Sequence, residues 1–204
     1  MTSLLKRFNI FKINLKGVHY VWSSRDVALV IITAVISFVY AVFVGQMGTI
    51  LTGISGVNYI FTIGMALTVS LTFLLFEGRR WRFFFHNTLF LLITFPTFLT
   101  GPPYSLLHRI PTFLCGIQAD IILNSFYPRF KRRNQLVLWS IIVGVEFFLI
   151  NPFLQIILFP LFVSPEIVMV FVDVALLLLP VIIAESVFGG YLAYKVYERV
   201  KKIV

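Results

Sequence analysis

Charge is scarce in this chain of 204 residues: only 12% are Asp, Glu, Lys or Arg. Soluble domains carry about twice that share, and a soluble fold of this size has to cover its surface with such residues. Cysteine is nearly absent. The single Cys115 sits in an apolar segment and excludes both an intrachain disulfide and a cysteine metal cluster. No Gly-x-Ser-x-Gly elbow, His-Glu-x-x-His motif or phosphate-binding P-loop occurs, which removes three common routes to hydrolysis. The three histidines are expected at different depths and form no metal triad, so neither a metal nor another cofactor is expected. Asp120 and Glu185 fall on different predicted helices, and no catalytic constellation emerges; the chain reads as a non-enzyme.

What the sequence does hold is apolar: 59% of residues are hydrophobic and the mean hydropathy is +0.97. Lipid is the solvent for such a composition. The expected fold is an all-α integral membrane protein, six transmembrane helices in a compact bundle over residues 25–204. Residues 1–24 form a cytoplasmic basic, amphipathic segment, either a disordered tail or a short helix on the inner leaflet. Its cations interrupt every apolar stretch, so no cleaved signal is expected.

The spans are expected at 27–44, 58–76, 83–99, 104–127, 135–163 and 166–194. The last two exceed about 20 residues, so tilting, kinking or protrusion is expected, with Pro152, Pro160 and Pro180 as candidate kinks. Lys and Arg then sort by side. Five lie before or at the start of the first span, three at 79–82, four at 129–133 and four at 195–202, so sixteen of seventeen share one side. The connections 45–57, 100–103 and 164–165 carry none. The positive-inside rule therefore predicts a multi-pass protein of the cell membrane with both termini cytoplasmic. Because the basic clusters alternate with apolar runs, the net charge of +9 is a topology signal rather than a nucleic-acid footprint. Trp22, Trp81 and Trp139 are expected as an inner aromatic belt.

Polar residues inside lipid are costly and need a partner, a cavity or water. Asn58, Tyr59, Tyr104, His108, Arg109, Asn151, Gln155 and Asp173 are expected in the outer half, and Glu146 near the middle. Together they are the candidate substrate-binding set. Arg109, the one non-cytoplasmic cation, is either a donor fork for a ligand, a partner of Asp173, or a side chain snorkelling to the interface. Glu146 either meets a ligand or hydrogen-bonds a neighbouring helix. The glycine-rich connection 45–57 is either a lid or a simple surface turn. Thr33, Ser37, Ala41 and Gly45 make a stripe of small residues at helical spacing, serving either packing within the bundle or docking of another membrane subunit.

The stretch GPPYSLLHRIPTFLCGIQADIIL (101–123) and the ending ESVFGGYLAYKVYERVKK (185–202) resemble segments of the substrate-binding S components of energy-coupling-factor (ECF) transporters. The resemblance covers the whole chain in topology and these two stretches in residues. It implies capture of a small, vitamin-like nutrient in an outward-facing pocket with 45–57 as lid. It also implies two kinds of partner, a coupling transmembrane subunit and ATPase subunits, and docking through the first helix, where Thr33 and Ser37 stand at positions the family usually fills with alanine. The alternatives are a non-transport membrane scaffold of similar fold, or an intramembrane enzyme acting on a lipid.

Overall fold

The computed structural model describes residues 22–54, 56–99 and 101–201, with the backbone of 14–15 and 18–19. Asn14–Leu15 and Val18–His19 pair as a two-residue antiparallel ladder. The expectation for residues 1–24 otherwise lies outside the described residues. Everything that follows is helix and short connection.

Helix α1 (Ser24–Tyr40) begins with a capping box: the Ser23 hydroxyl accepts from the Asp26 N–H and the Asp26 carboxylate from the Ser23 N–H, both at 3.1 Å. It continues through a π turn (Ala41–Gly45) into α2 (Met47–Thr52), which stops at Gly53 in the left-handed region, φ +70°. The connection expected as a loop at 45–57 is thus mostly helical. Then follow α3 (Thr62–Phe76), entered through a 3-10 turn at Val57–Phe61, α4 (Arg82–Thr94), α5 (Ile110–Arg132), α6 (Leu136–Leu158) and α7 (Pro165–Lys201).

Four helical stretches are long and apolar enough to cross a membrane: Ser24–Thr52, Val57–Phe76, Leu136–Leu161 and Pro165–Lys201. The expected third span is the 13-residue α4, about 20 Å at 1.5 Å per residue and shorter than a ~30 Å hydrocarbon core. The expected fourth span is α5, whose last turn is charged with Arg129, Lys131 and Arg132. Helix α7, with 37 residues, runs roughly 55 Å and carries Pro180 within it. Pro152 lies inside α6, whereas Pro160 falls in the 3-10 turn that ends it.

Small residues let α3, α6 and α7 touch backbone to backbone. A Cβ on Gly189 would stand 2.5 Å from the Ile63 carbonyl oxygen, and one on Gly190 would stand 2.7 Å from that of Ser140. Hydroxyls tie the same crossing: Ser70 donates to the Ser140 carbonyl at 2.9 Å, and Ser140 to the Gly190 carbonyl at 2.7 Å. Trp139 is fully buried here, edge-on to Phe73 and Tyr127, so it belongs to the core rather than to an interfacial belt.

The cationic connections gather at one end of the bundle. Asp26 pairs with Arg79 at 2.8 Å and Arg82 at 3.2 Å, and Arg82 lies 4.5 Å over the Trp22 ring, which joins the start of α1 to the α3–α4 turn. Glu77 in that turn pairs with Lys131 in the last turn of α5 and accepts from Tyr197 of α7.

Candidate functional site

At the end away from those cations the helices part around a cavity of about 340 Å³. One wall is the last part of α1 with its π turn and α2, through Ser37, Ala41, Gly45, Gln46 and Thr49. The 3-10 turn before α3 contributes Asn58, Tyr59 and Phe61, and α6 contributes Phe147, Phe148, Asn151 and Gln155. His86 and Asn87 of α4 form the floor, and the turn at Gly101 and Pro102 with His108 forms part of the rim.

A chain of hydrogen bonds runs along the α5–α6 side. The Tyr59 hydroxyl donates to Gln155 Oε1 at 3.4 Å, Gln155 Nε2 donates to Asn151 Oδ1 at 3.1 Å, and Thr112 Oγ1 donates to the same oxygen at 3.3 Å. Asn87 Nδ2 donates to the Thr112 carbonyl at 2.9 Å. His86 and His108 each engage Nδ1, with Thr33 at 2.9 Å and Ser105 at 2.7 Å. Beside this strip is an aromatic surface: Phe147 and Phe159 flank Asn151 and Gln155 at four-residue spacing on one face of α6, Phe148 stands 5.3 Å from Phe147, and Phe171 of α7 stands 5.3 Å from Phe159.

Of the nine candidate binding residues, Asn58, Tyr59, His108, Asn151 and Gln155 therefore share one hollow, and four do not reach it. Tyr104 is exposed and packs edge-on to Phe95. Asp173 is exposed on α7 and forms no ion pair among the described residues. Glu146 hydrogen-bonds Gln118 across the α5–α6 contact, beside a surface groove made by Ile142, Leu149 and their neighbours.

Arg109 is the main departure from expectation. It is only 4% exposed, yet it meets neither Asp173 nor the cavity. Its Nη2 donates to the carbonyls of Thr94, Phe95 and Thr97 at 3.1, 3.0 and 3.2 Å, and its Nη1 to those of Pro102 and Ser105. Helix α4 ends there, just before Pro96, and the guanidinium adds a charged donor to carbonyls that Thr97 and Tyr104 also bond. In this structure Arg109 caps α4 and shapes the rim.

The small-residue stripe also turns inward. Thr33, Ser37, Ala41 and Gly45 are buried, Thr33 against His86 and the other three against the cavity. The opposite face of α1, with Ile31, Ile32, Val35, Ile36 and Val39 exposed, is bulky and apolar. Small side chains on the inner face bring α4 close and leave the hollow its volume, so in this structure the stripe packs within the bundle.

His86, Asn87, Gln46 and the phenylalanines were outside the candidate set. The sequence signal for the first two is their place on the buried face of α4 with Phe83, Phe90 and Leu91, where a polar residue needs a partner or a cavity. No family model matches the chain, and neither the curated proteins nor the solved structures give a match.

Proposed function

We propose that this chain is the substrate-capturing membrane subunit of an ECF-type importer, taking a small nutrient from the outer face. In this reading six helical segments cross the bilayer, α4 and α5 included because the bundle shields their polar groups. Both termini and the cationic end face the cytoplasm. A separate coupling subunit and ATPase subunits supply the energy through an interface, and the chain itself performs no catalysis. The observation that carries this is a single one. Polar side chains from α1–α2, the 3-10 turn before α3, α4, α5 and α6 converge on one cavity at the end opposite the cations. Its volume lies in the ligand-pocket range of about 300–1,000 Å³.

Helix α2 and the turn after it form one side of that cavity, so a shift of Met47–Thr52 opens or closes it, with the π turn and Gly53 as the points that yield. Native mass spectrometry of the purified protein tests the capture reading. A co-released small molecule, lost when Gln155 is replaced by Ala, is expected. A clean apo spectrum, with no thermal shift from any vitamin-like metabolite, moves the reading to a membrane scaffold that acts through its cationic end.

A further inference from the structure

Resting on that capture reading, we propose that the cavity is built for an uncharged, planar solute bearing a carbonyl or carboxamide oxygen, and that it rejects the ionised analogues of the same molecule.

Among the described residues that line the cavity, none is Asp, Glu, Lys or Arg. Ionisable groups around it are engaged elsewhere: Arg109 with five backbone carbonyls, Glu146 with Gln118, Asp120 with the start of α4 and Glu185 with the Ile63 N–H. An ionised ligand that enters sheds water and finds no opposite charge, which costs several kcal/mol. A neutral ligand avoids that penalty.

The hydrogen-bond chain also sets which polar group is welcome. Asn151 Oδ1 already accepts from Thr112 and Gln155, and Gln155 Oε1 accepts from Tyr59. Asn151 Oδ1 thus has both lone pairs engaged, and in this arrangement Asn151 Nδ2 is the free end. Neither Asn151 Nδ2 nor the Asn58 side chain has an internal partner among the described residues, and neither is sealed away as a buried orphan. Asn151 therefore presents N–H donors, which match an acceptor oxygen on the ligand. The phenylalanines that flank these amides supply apolar surface for its ring. Donors set among aromatic side chains select a planar molecule with one polar edge.

The test uses three probes with one ring and three charges: indole-3-acetamide, indole-3-acetate and tryptamine. Each is dialysed against the purified protein in lipid nanodiscs, and an organic extract of the same protein is read by mass spectrometry. The amide is expected to bind at least about tenfold more tightly than the acid or the amine, given the cost of an unpaired charge. Asn151→Leu, which removes the donor but not the charge penalty, is expected to weaken binding of the amide while the melting profile stays cooperative. Equal or tighter binding of the acid or the amine overturns the charge selectivity and leaves capture standing. If no probe binds, the extract decides: a neutral carbonyl compound supports the proposal, an ionised one overturns it alone, and an empty extract sinks the capture reading with it.

Discussion

Arg109 and Asp120, both on the α5 side, hold opposite ends of one short helix. Asp120 accepts from the Trp81 and Phe84 N–H groups at 2.7 and 2.9 Å, where α4 begins, and Arg109 takes the carbonyls where α4 ends. Anion at the N-terminus and cation at the C-terminus is the favourable pairing with the helix dipole. Asn87 adds a bond to the Thr112 carbonyl between the two. Helix α4 carries the cavity floor, so this brace sets the depth of the hollow.

Removing the cap should therefore unfold before it unbinds. Arg109→Ala removes the guanidinium from five carbonyls, of which those of Thr94, Phe95 and Pro102 keep the backbone donors of Thr97, Tyr104 and Ser105; a loss of about 1–3 kcal/mol for each carbonyl left without a donor is the usual scale. A large fall in melting temperature in detergent is expected, with Arg109→Lys only partly restoring it because one ammonium cannot replace the fork. A variant with wild-type melting that has lost ligand would return Arg109 to the binding site.

Asp120→Asn is expected to be milder. One amide oxygen still accepts from an α4 N–H while the second loses its partner, for a cost of roughly 1 kcal/mol. Thermal melts of Asp120→Asn beside Asp120→Ala check the order, the alanine variant falling further. Unchanged stability in both would refute the brace.

At the α3–α7 crossing, Gly189→Ala places a methyl group 2.5 Å from the Ile63 carbonyl oxygen. Helix separation costs about 1–3 kcal/mol, the scale of overpacking. A clear drop in melting temperature is expected for Gly189→Ala, whereas Gly45→Ala, whose nearest neighbour is the Ala41 methyl at 4.0 Å, should change it little.

Orientation is open to a labelling experiment. Cys115 is fully buried and is replaced by Ser for a clean background. Single cysteines at Met47, beside the cavity, and at Arg132, on the cationic end, are then probed with a membrane-impermeant maleimide in intact cells. Met47→Cys is expected to label from outside and Arg132→Cys only after permeabilisation. The reverse pattern inverts the topology.

The candidate site was partly legible before any fold was drawn. Asn151 and Gln155 are four residues apart on an apolar helix, and that spacing alone places both on one face. His108, Asn58 and Tyr59 follow from the same cost of polarity in lipid. Arg109 misleads for a physical reason: the demand that a buried cation find partners is met by backbone carbonyls, which every residue carries and no sequence pattern marks. The stripe Thr33, Ser37, Ala41 and Gly45 is legible as a contact face, but which neighbour it contacts is not.

The order of residues by itself determined that the chain has apolar helices long enough to cross a membrane, and that its cations cluster between apolar runs. Those follow from solvation free energy, which is a sum over residues and needs no coordinates. Tertiary structure alone decided that α4 is short, that Arg109 and Asp120 brace it, and that no ionised side chain among the described residues faces the hollow. Such features depend on which backbone groups are left unpaired and which helices approach closely, quantities that exist only once the chain has packed.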